Sequence, residues 1–438
     1  MLSDIQRPPF PETKQHPDDT HASIHHAPMI GGLLSLCANA APGETAPALL
    51  NRLAAAARSR GTLPIQGTVF CDPTQADAKK LTATAGIDFP AACLGRHDTP
   101  RGSVLGARIT ALPEGTFERV NDARGANIGA RWETAAARYL LLGALVPRDT
   151  AAPRDSQAAA LWLALKTQVE NAGFAMGNLM RTWFYNDHIL DWYAQFNRVR
   201  NAFFTDNNIF GTLVPASTGI GATNAAGAAL TVDALAIAPK NQNPRNPENL
   251  EPDDKPARAQ PAGPLPPHHP PGPPTLSIAA VTSPLQCPAY DYKSAFSRAV
   301  ECAETPAAET PAAGLRHLTI SGTASIEPGG LTAHTGDIDA QIDLTLRVVA
   351  AILESRGMDW RDTARAILYF RKPEWMPRWH ARRAALGLPE LPAIFAHTDI
   401  CRDDLLFEIE LDATTRLRRE IPNPKIPNHK MSNHSLRS

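Results

Sequence analysis

One spacing constrains this chain more than any other property. Gln157, Gly173, Arg181 and Tyr185 recur as Gln341, Gly357, Arg365 and Tyr369, each 184 residues later with no gap inside the set. Further along the offset becomes 177, pairing Pro215, Asn224, Thr231 and Asp233 with Pro392, Cys401, Glu408 and Glu410. Positions held in register this way mark a duplicated unit with one loop of variable length. The first copy, 117–238, predicts a strand at Tyr139–Gly143, a helix at Gln157–Ala172 stopped by Gly173, a strand at Met180–Tyr185, a helix at Ile189–Phe204 and a strand at Leu230–Ala236. The second, 275–415, repeats it with His317–Gly322, Gln341–Ser355, Ala364–Phe370, Glu374–Leu386 and Leu405–Ala413. Each copy is therefore an α+β layer, with helices packed on one face of a mixed sheet.

A chain of 438 residues exceeds one ordinary core. Residues 239–274 hold 13 of its 40 prolines and read as an extended linker between the copies. The polar stretch 1–28 reads as a disordered tail, 29–116 as a small mixed region, and 416–438 as a basic disordered tail. Lys+Arg 43 against Asp+Glu 44 gives no electrostatic footprint for nucleic acid, which disfavours a nuclease. The six cysteines, without CxxC spacing, suggest reduced thiols in a cytoplasmic protein rather than zinc ligands or a disulfide framework. His21, His25 and His26 have no ligand cluster to join, so no metal and no cofactor is expected. The apolar run Met29–Cys37 is too short to span a bilayer.

The chemistry concentrates at the end of the second copy. From Leu405, the apolar Leu405, Phe407, Ile409 and Leu411 alternate with Leu406, Glu408, Glu410 and Asp412, the period of a strand with one buried face. The plain reading of the acidic face is a solvated one. The duplication argues otherwise: Thr231 cannot titrate where Glu408 can, and Asn224 is no nucleophile where Cys401 could be. Glu408 is the candidate general acid or base, its pKa raised by Glu410 two positions along the same face. Arg181, Arg298 and Arg365 are candidates for gripping a substrate carboxylate. Tyr290 could bond a hydroxyl, while Gly322 and Ala324 would let backbone approach a ligand.

The closing Phe407-Glu408-Ile409-Glu410 resembles the end of the Rid (YjgF) fold. Over a longer span, Arg181-Thr-Trp-Phe-Tyr185, Phe196-Asn197-Arg198, Pro215–Gly221, Ala289-Tyr290, Phe296-Ser297-Arg298-Ala299, Ser321–Ile326, His334-Thr-Gly-Asp337 with Gln341, and Cys401-Arg402-Asp403-Asp404 together resemble the chorismatases. These are two-lobed relatives that hydrolyse the enolpyruvyl ether of chorismate. The resemblance implies tandem Rid/chorismate-mutase-like domains, ligand sites at unit interfaces, trimeric assembly, a small carboxylate substrate with an enol ether or similar unsaturated centre, and a water- or proton-handling role for Glu408. It also implies a nucleophilic role for Cys401, which Arg402 would favour as a thiolate. Two departures matter. Rid imine deaminases carry an arginine 15 residues before that glutamate, where this chain has Ala393. Chorismatases read Pro-Arg-Gln where this chain reads Pro284-Leu285-Gln286. The alternatives are an imine or enamine deaminase, with Arg365 supplying the missing cation, and a catalytically silent metabolite- or protein-binding member.

Overall fold

The computed structural model describes residues 23–74, 89–240, 274–292, 294–305 and 314–417. Most of the proline-rich linker and both tails, apart from a few flanking residues, lie outside them. The middle unit contains β6 (Phe117–Asn121), β7 (Asn127–Glu133), β8 (Ala137–Leu145), α2 (Arg154–Asn171), β9 (Leu179–Asn186), α3 (Ile189–Asp206), β10 (Ala216–Gly221), β11 (Thr223–Asn224) and β12 (Leu230–Pro239). The last contains β13 (Thr275–Val281), β14 (Ala299–Thr305), β15 (Leu315–Ala324), α4 (Ile338–Ser355), β16 (Thr363–Phe370), α5 (Met376–Ala385), β17 (Ala393–His397) and β18 (Phe407–Arg416). Their sheets run β6-β7-β8-β12-β9-β10 and β13-β14-β15-β18-β16-β17, the same order twice. Only β9 with β10 and β16 with β17 are parallel; every other pair in these two sheets is antiparallel.

The region before them carries five strands of the same order a third time. Strands β1 (His25–Pro28), β2 (Leu34–Asn39), β3 (Thr62–Cys71), β4 (Ala91–Gly95) and β5 (Val104–Pro113), with α1 (Ala46–Arg58) between β2 and β3, form a sheet β1-β2-β5-β3-β4, and β4 is again parallel to its neighbour. The duplication read from the sequence is thus part of a threefold repeat. His25–Pro28, expected in the tail, instead pairs with Leu34–Cys37 as an edge strand. The short β11 leaves the middle unit and pairs with β4, tying two sheets together.

Register aligns the three copies residue by residue. Phe70 faces Gly106, Tyr185 faces Thr231 and Tyr369 faces Glu408; two residues on, the facing positions hold Arg108, Asp233 and Glu410. Each sheet covers its own helices with one face. Leu49, Leu50 and Leu53 of α1, Leu161, Trp162 and Leu165 of α2, and Ile342, Val349 and Ile352 of α4 fill these three separate layers. The opposite faces meet in a shared interior where Phe70, Tyr139, Trp183, Tyr185, Ile367 and Tyr369 pack. Phe70 touches Tyr185 and Tyr369 edge-on at 6.4 and 6.0 Å between centroids, so an aromatic from each unit meets the others at the junction.

The repeated glutamine acquires a purpose here. Gln341 of α4 donates to the Asp404 carbonyl and accepts from the Leu406 amide, both at 2.8 Å, and Gln157 of α2 accepts from the matching Ala229 amide at 2.8 Å. Each glutamine therefore fixes where its unit's closing strand begins. No helix among the described residues is long and apolar enough to cross a membrane, and among the described residues no disulfide joins the cysteines.

Candidate active site

Strand β18 is buried on both sides. Phe407, Ile409, Leu411 and Ala413 face α4 and α5, while Glu408, Glu410 and Asp412, no more than 4% exposed, point into the shared interior. The plain reading of a solvated acidic face, which the duplication argued against, does not hold: the other sheets cover it. A period of two reports which residues share a face, not what lies against it.

Two of the three carboxylates are held by cations. Glu410 accepts from Arg181 Nη2 at 3.0 Å, Arg365 Nη1 at 2.8 Å and the Trp183 indole at 2.9 Å. Asp412 pairs with Arg365 Nε at 2.5 Å and His317 Nε2 at 3.1 Å. Burial alone would raise both acids, but Arg181 and Arg365 at Glu410, and Arg365 and His317 at Asp412, outweigh it and leave both below their ordinary values. Arg181 and Arg365 are themselves 1% and 3% exposed and spent on these pairs. They lie in the interior network rather than on a ligand-accessible wall.

Glu408 differs. It lines a cavity of about 500 Å³ between the middle and last units, and none of the described residues hydrogen-bonds its carboxyl. Burial, reinforced by the negative charge of Glu410 and opposed by Arg181 and Arg298, pushes it up to about 8. At neutral pH this group is a protonated acid facing open space. Its placement requires Gly322: a Cβ there would lie 2.0 Å from Glu408 Oε1, whereas the Gly322 amide donates to Thr218 Oγ1 at 3.0 Å. The glycine thus serves the glutamate's approach. Ala324, also on the wall, is 4% exposed.

Four arginines converge on the same cavity: Arg198 and Arg200 from α3, Arg298 and Arg402 from the last unit. Arg298 donates through Nε and Nη2 to the Cys287 carbonyl at 3.0 and 2.8 Å, and its guanidinium lies 5.6 Å from the Phe296 ring centroid. Arg200 donates to Asn197 Oδ1 at 2.6 Å and Arg402 to the Gly330 carbonyl at 2.7 Å, so their head groups are oriented before a ligand arrives. Tyr193, Asn197 and Asn201, one helical turn apart, give α3 a polar stripe on the wall. Cys401 also lines the cavity, but burial and then Glu408 push its thiol up to about 12 despite Arg402, so it is no thiolate at neutral pH.

Of the residues singled out from sequence, the structure brings together Glu408, Cys401, Arg298, Gly322 and Ala324. It leaves out Arg181, Arg365 and Tyr290, the last 55% exposed and not on the cavity wall. Tyr193 and Arg200 join the wall without having been named, and Arg198, Ser217 and Arg402, which lie in the matched segments, join it too. The matched Phe196-Asn197-Arg198 marked α3, and the i, i+4, i+8 polar spacing of Tyr193, Asn197 and Asn201 was a further signal for its wall-facing side. Among the described residues no group of three or more His, Cys, Asp or Glu is arranged to hold a metal.

The equivalent places in the other units carry no titratable group. Thr231 gives its hydroxyl to the Leu145 carbonyl at 2.9 Å. At Gly106 a Cβ would lie 2.9 Å from Ile394 Cβ, and Asn39 bonds the backbone of Ala393 and Phe395 there. Ala393, 7% exposed, sits in that packed seam.

No family model and no curated protein matches the sequence. Among solved structures, chorismatase aligns over 80% of this chain and 92% of its own, at 20% identity and a TM-score of 0.53. The YjgF gene product of E. coli aligns over 32% of this chain and 99% of its own, at 16% identity and a TM-score of 0.24. Yeast Mmf1 covers 31% and 98%, at 12% identity and 0.25. The α+β chain thus has the chorismatase fold.

Proposed function

We propose that this chain hydrolyses an enol ether of a small dicarboxylate of the chorismate type. The observation that carries the reading is Glu408: a carboxylic acid pushed up to about 8, facing a cavity of about 500 Å³ that four arginines also line. A neutral acid is what an enol ether needs, because its methylene carbon becomes basic only through the ether oxygen. Glu408 gives its proton to that carbon, leaving an oxocarbenium centre and a carboxylate. Water adds to the cationic carbon, and the Glu408 carboxylate takes the proton that water loses. The hemiketal collapses to a 2-oxo acid and the free alcohol, and the side chain is again protonated. Guanidinium groups from two units suit the paired carboxylates of such a substrate.

Two observations weigh against the deaminase alternative. The place fifteen residues before Glu408 is the buried Ala393, and Arg365, the cation that could have replaced the missing arginine, is committed to Glu410 and Asp412. Cys401 as a protonated thiol is better placed as a packing neighbour of Glu408 than as a nucleophile. The assembly that the resemblance assigns to three chains has three units within this one, and we infer that the cavity needs no partner.

The test uses purified protein with chorismate, and separately with imines generated by an amino acid oxidase. Chorismate is expected to release its pyruvyl group as pyruvate, with no acceleration of imine breakdown. Imine hydrolysis without pyruvate release would reverse the assignment, and neither activity would leave a ligand-binding role.

A further inference from the structure

The interior beside the cavity contains one arrangement that the proposed reaction does not use. Arg108 comes from β5, Arg181 from β9 and Arg365 from β16, one from each unit, and their guanidinium carbons lie 5.2, 4.9 and 5.4 Å from the ring centroid of Trp183. The acids among them are Asp233, Glu410 and Asp412. Asp233 accepts from Arg108 Nη2 at 3.2 Å, and Glu410 accepts from Arg181, Arg365 and the Trp183 indole. Three cations thus meet three acids, all at most 4% exposed.

We propose that Glu410 is a positioning residue for the reaction: the three-arginine ring fixes it as an anion, and that anion keeps Glu408 in its acid form. This rests on the assignment of Glu408 as the acid. Side chains two apart on a strand share a face and sit about 6–7 Å apart. At that distance in a water-poor interior, two like charges repel strongly enough that only one carboxyl ionises readily. The donors decide which. Glu410 has two guanidinium groups and an indole N–H; Glu408 has no hydrogen-bond donor among the described residues. The groups facing Glu408 are Glu410 and Arg181 from the interior, and Arg298 and Cys401 from the cavity. Arg198, Arg200 and Arg402 line the same cavity. Those facing Glu410 are Arg181, Arg365 and Arg108, with Asp233, Tyr185 and Tyr369 behind them. Glu408 therefore sees a balanced ring whose nearest member to it along the strand is negative.

The test follows the Glu408 carboxyl directly, by carbon-13 NMR titration of protein labelled at the glutamate side-chain carboxyl, with the resonance assigned by its loss in Glu408→Gln. In Glu410→Gln the ring gains an uncompensated cation, and the Glu408 midpoint is expected to move acid-ward by about one pH unit or more. Arg181→Met removes a cation and is expected to move it the other way. The double variant, neutral again, is expected to return towards wild type. A midpoint that stays within about 0.3 units in both single variants, or moves the same way in both, overturns the proposal; if Glu410→Gln does not fold, the direction in Arg181→Met decides. Because this readout needs no turnover, failure to cleave chorismate would overturn the reaction and leave the Glu410 result standing.

Discussion

At the scale of the residue, Glu408 carries a signature in stability as well as in reactivity. Its folded value of about 8 lies above the ordinary 4.5, so the folded state binds this proton more tightly than the unfolded chain does. The sign follows: the contribution is fully present below the unfolded value and is lost as pH rises through about 8, where a bare charge must be held in the interior. Glu408→Gln removes that loss. The variant is expected to match wild type near pH 5 and to exceed it at pH 9 by roughly 3–5 kcal/mol, read from urea unfolding at the two pH values. Equal stability at pH 9 would mean that the carboxyl is solvated. The sequence showed a titratable residue here where the other copy has Thr231. It could not show that the acidic face is covered, because alternation is the same for a strand facing water and one facing another sheet.

At the scale of the element, the site is a contact between β15 and β18. Ala324 pairs with Glu408 and Thr323 with Ile409 across an irregularity that begins after Ile320, and Gly322 lies inside it. Gly322→Ala puts a methyl where the Glu408 oxygen sits. Because that oxygen is the far end of a flexible side chain, the fold is expected to survive with less than about 2 kcal/mol lost. Turnover should fall at least about 100-fold, since the acid is turned from its place. A circular dichroism melt and a pyruvate assay on the same preparation separate the two effects; full activity would place the proton donor elsewhere. The two helices, the central strand and the closing strand of each copy were legible from apolar period, glycine stops and the shared offsets. The parallel strands β10 and β17 were not, because short segments rich in glycine or flanked by prolines carry little periodicity.

At the scale of the whole molecule, three sheets share one interior, and their contact is polar as well as apolar. Asp233 of the middle unit holds Arg108 and Gln66 of the first, with 3.2 and 2.7 Å contacts, and takes the Ala144 amide at 2.7 Å. Asp233→Asn breaks this buried pair at a unit boundary and is expected to cost roughly 3–5 kcal/mol. One cooperative transition should persist, because no sheet buries its inner face without the others; two separated transitions in calorimetry would show that the units unfold independently. The third unit was hidden in the sequence for a specific reason. Where the later copies read Arg181 and Tyr185 or Arg365 and Tyr369, the first reads Gln66 and Phe70, so neither the charge nor the hydroxyl that marks the repeat is present. Arg198 and Arg402 were legible only as members of matched segments: their convergence on one cavity depends on two units docking, which no local pattern encodes.

The account stands on a protonated Glu408 at work in the cavity, and the pH dependence of kcat/KM for pyruvate release from chorismate tests this most directly. For wild type it is expected to be level near neutrality and to fall about tenfold per unit above about 8, with Glu408→Gln at least about 1,000-fold slower and lacking that limb. A Glu408→Gln enzyme within a few-fold of wild type, or one that keeps the same alkaline fall, would contradict it.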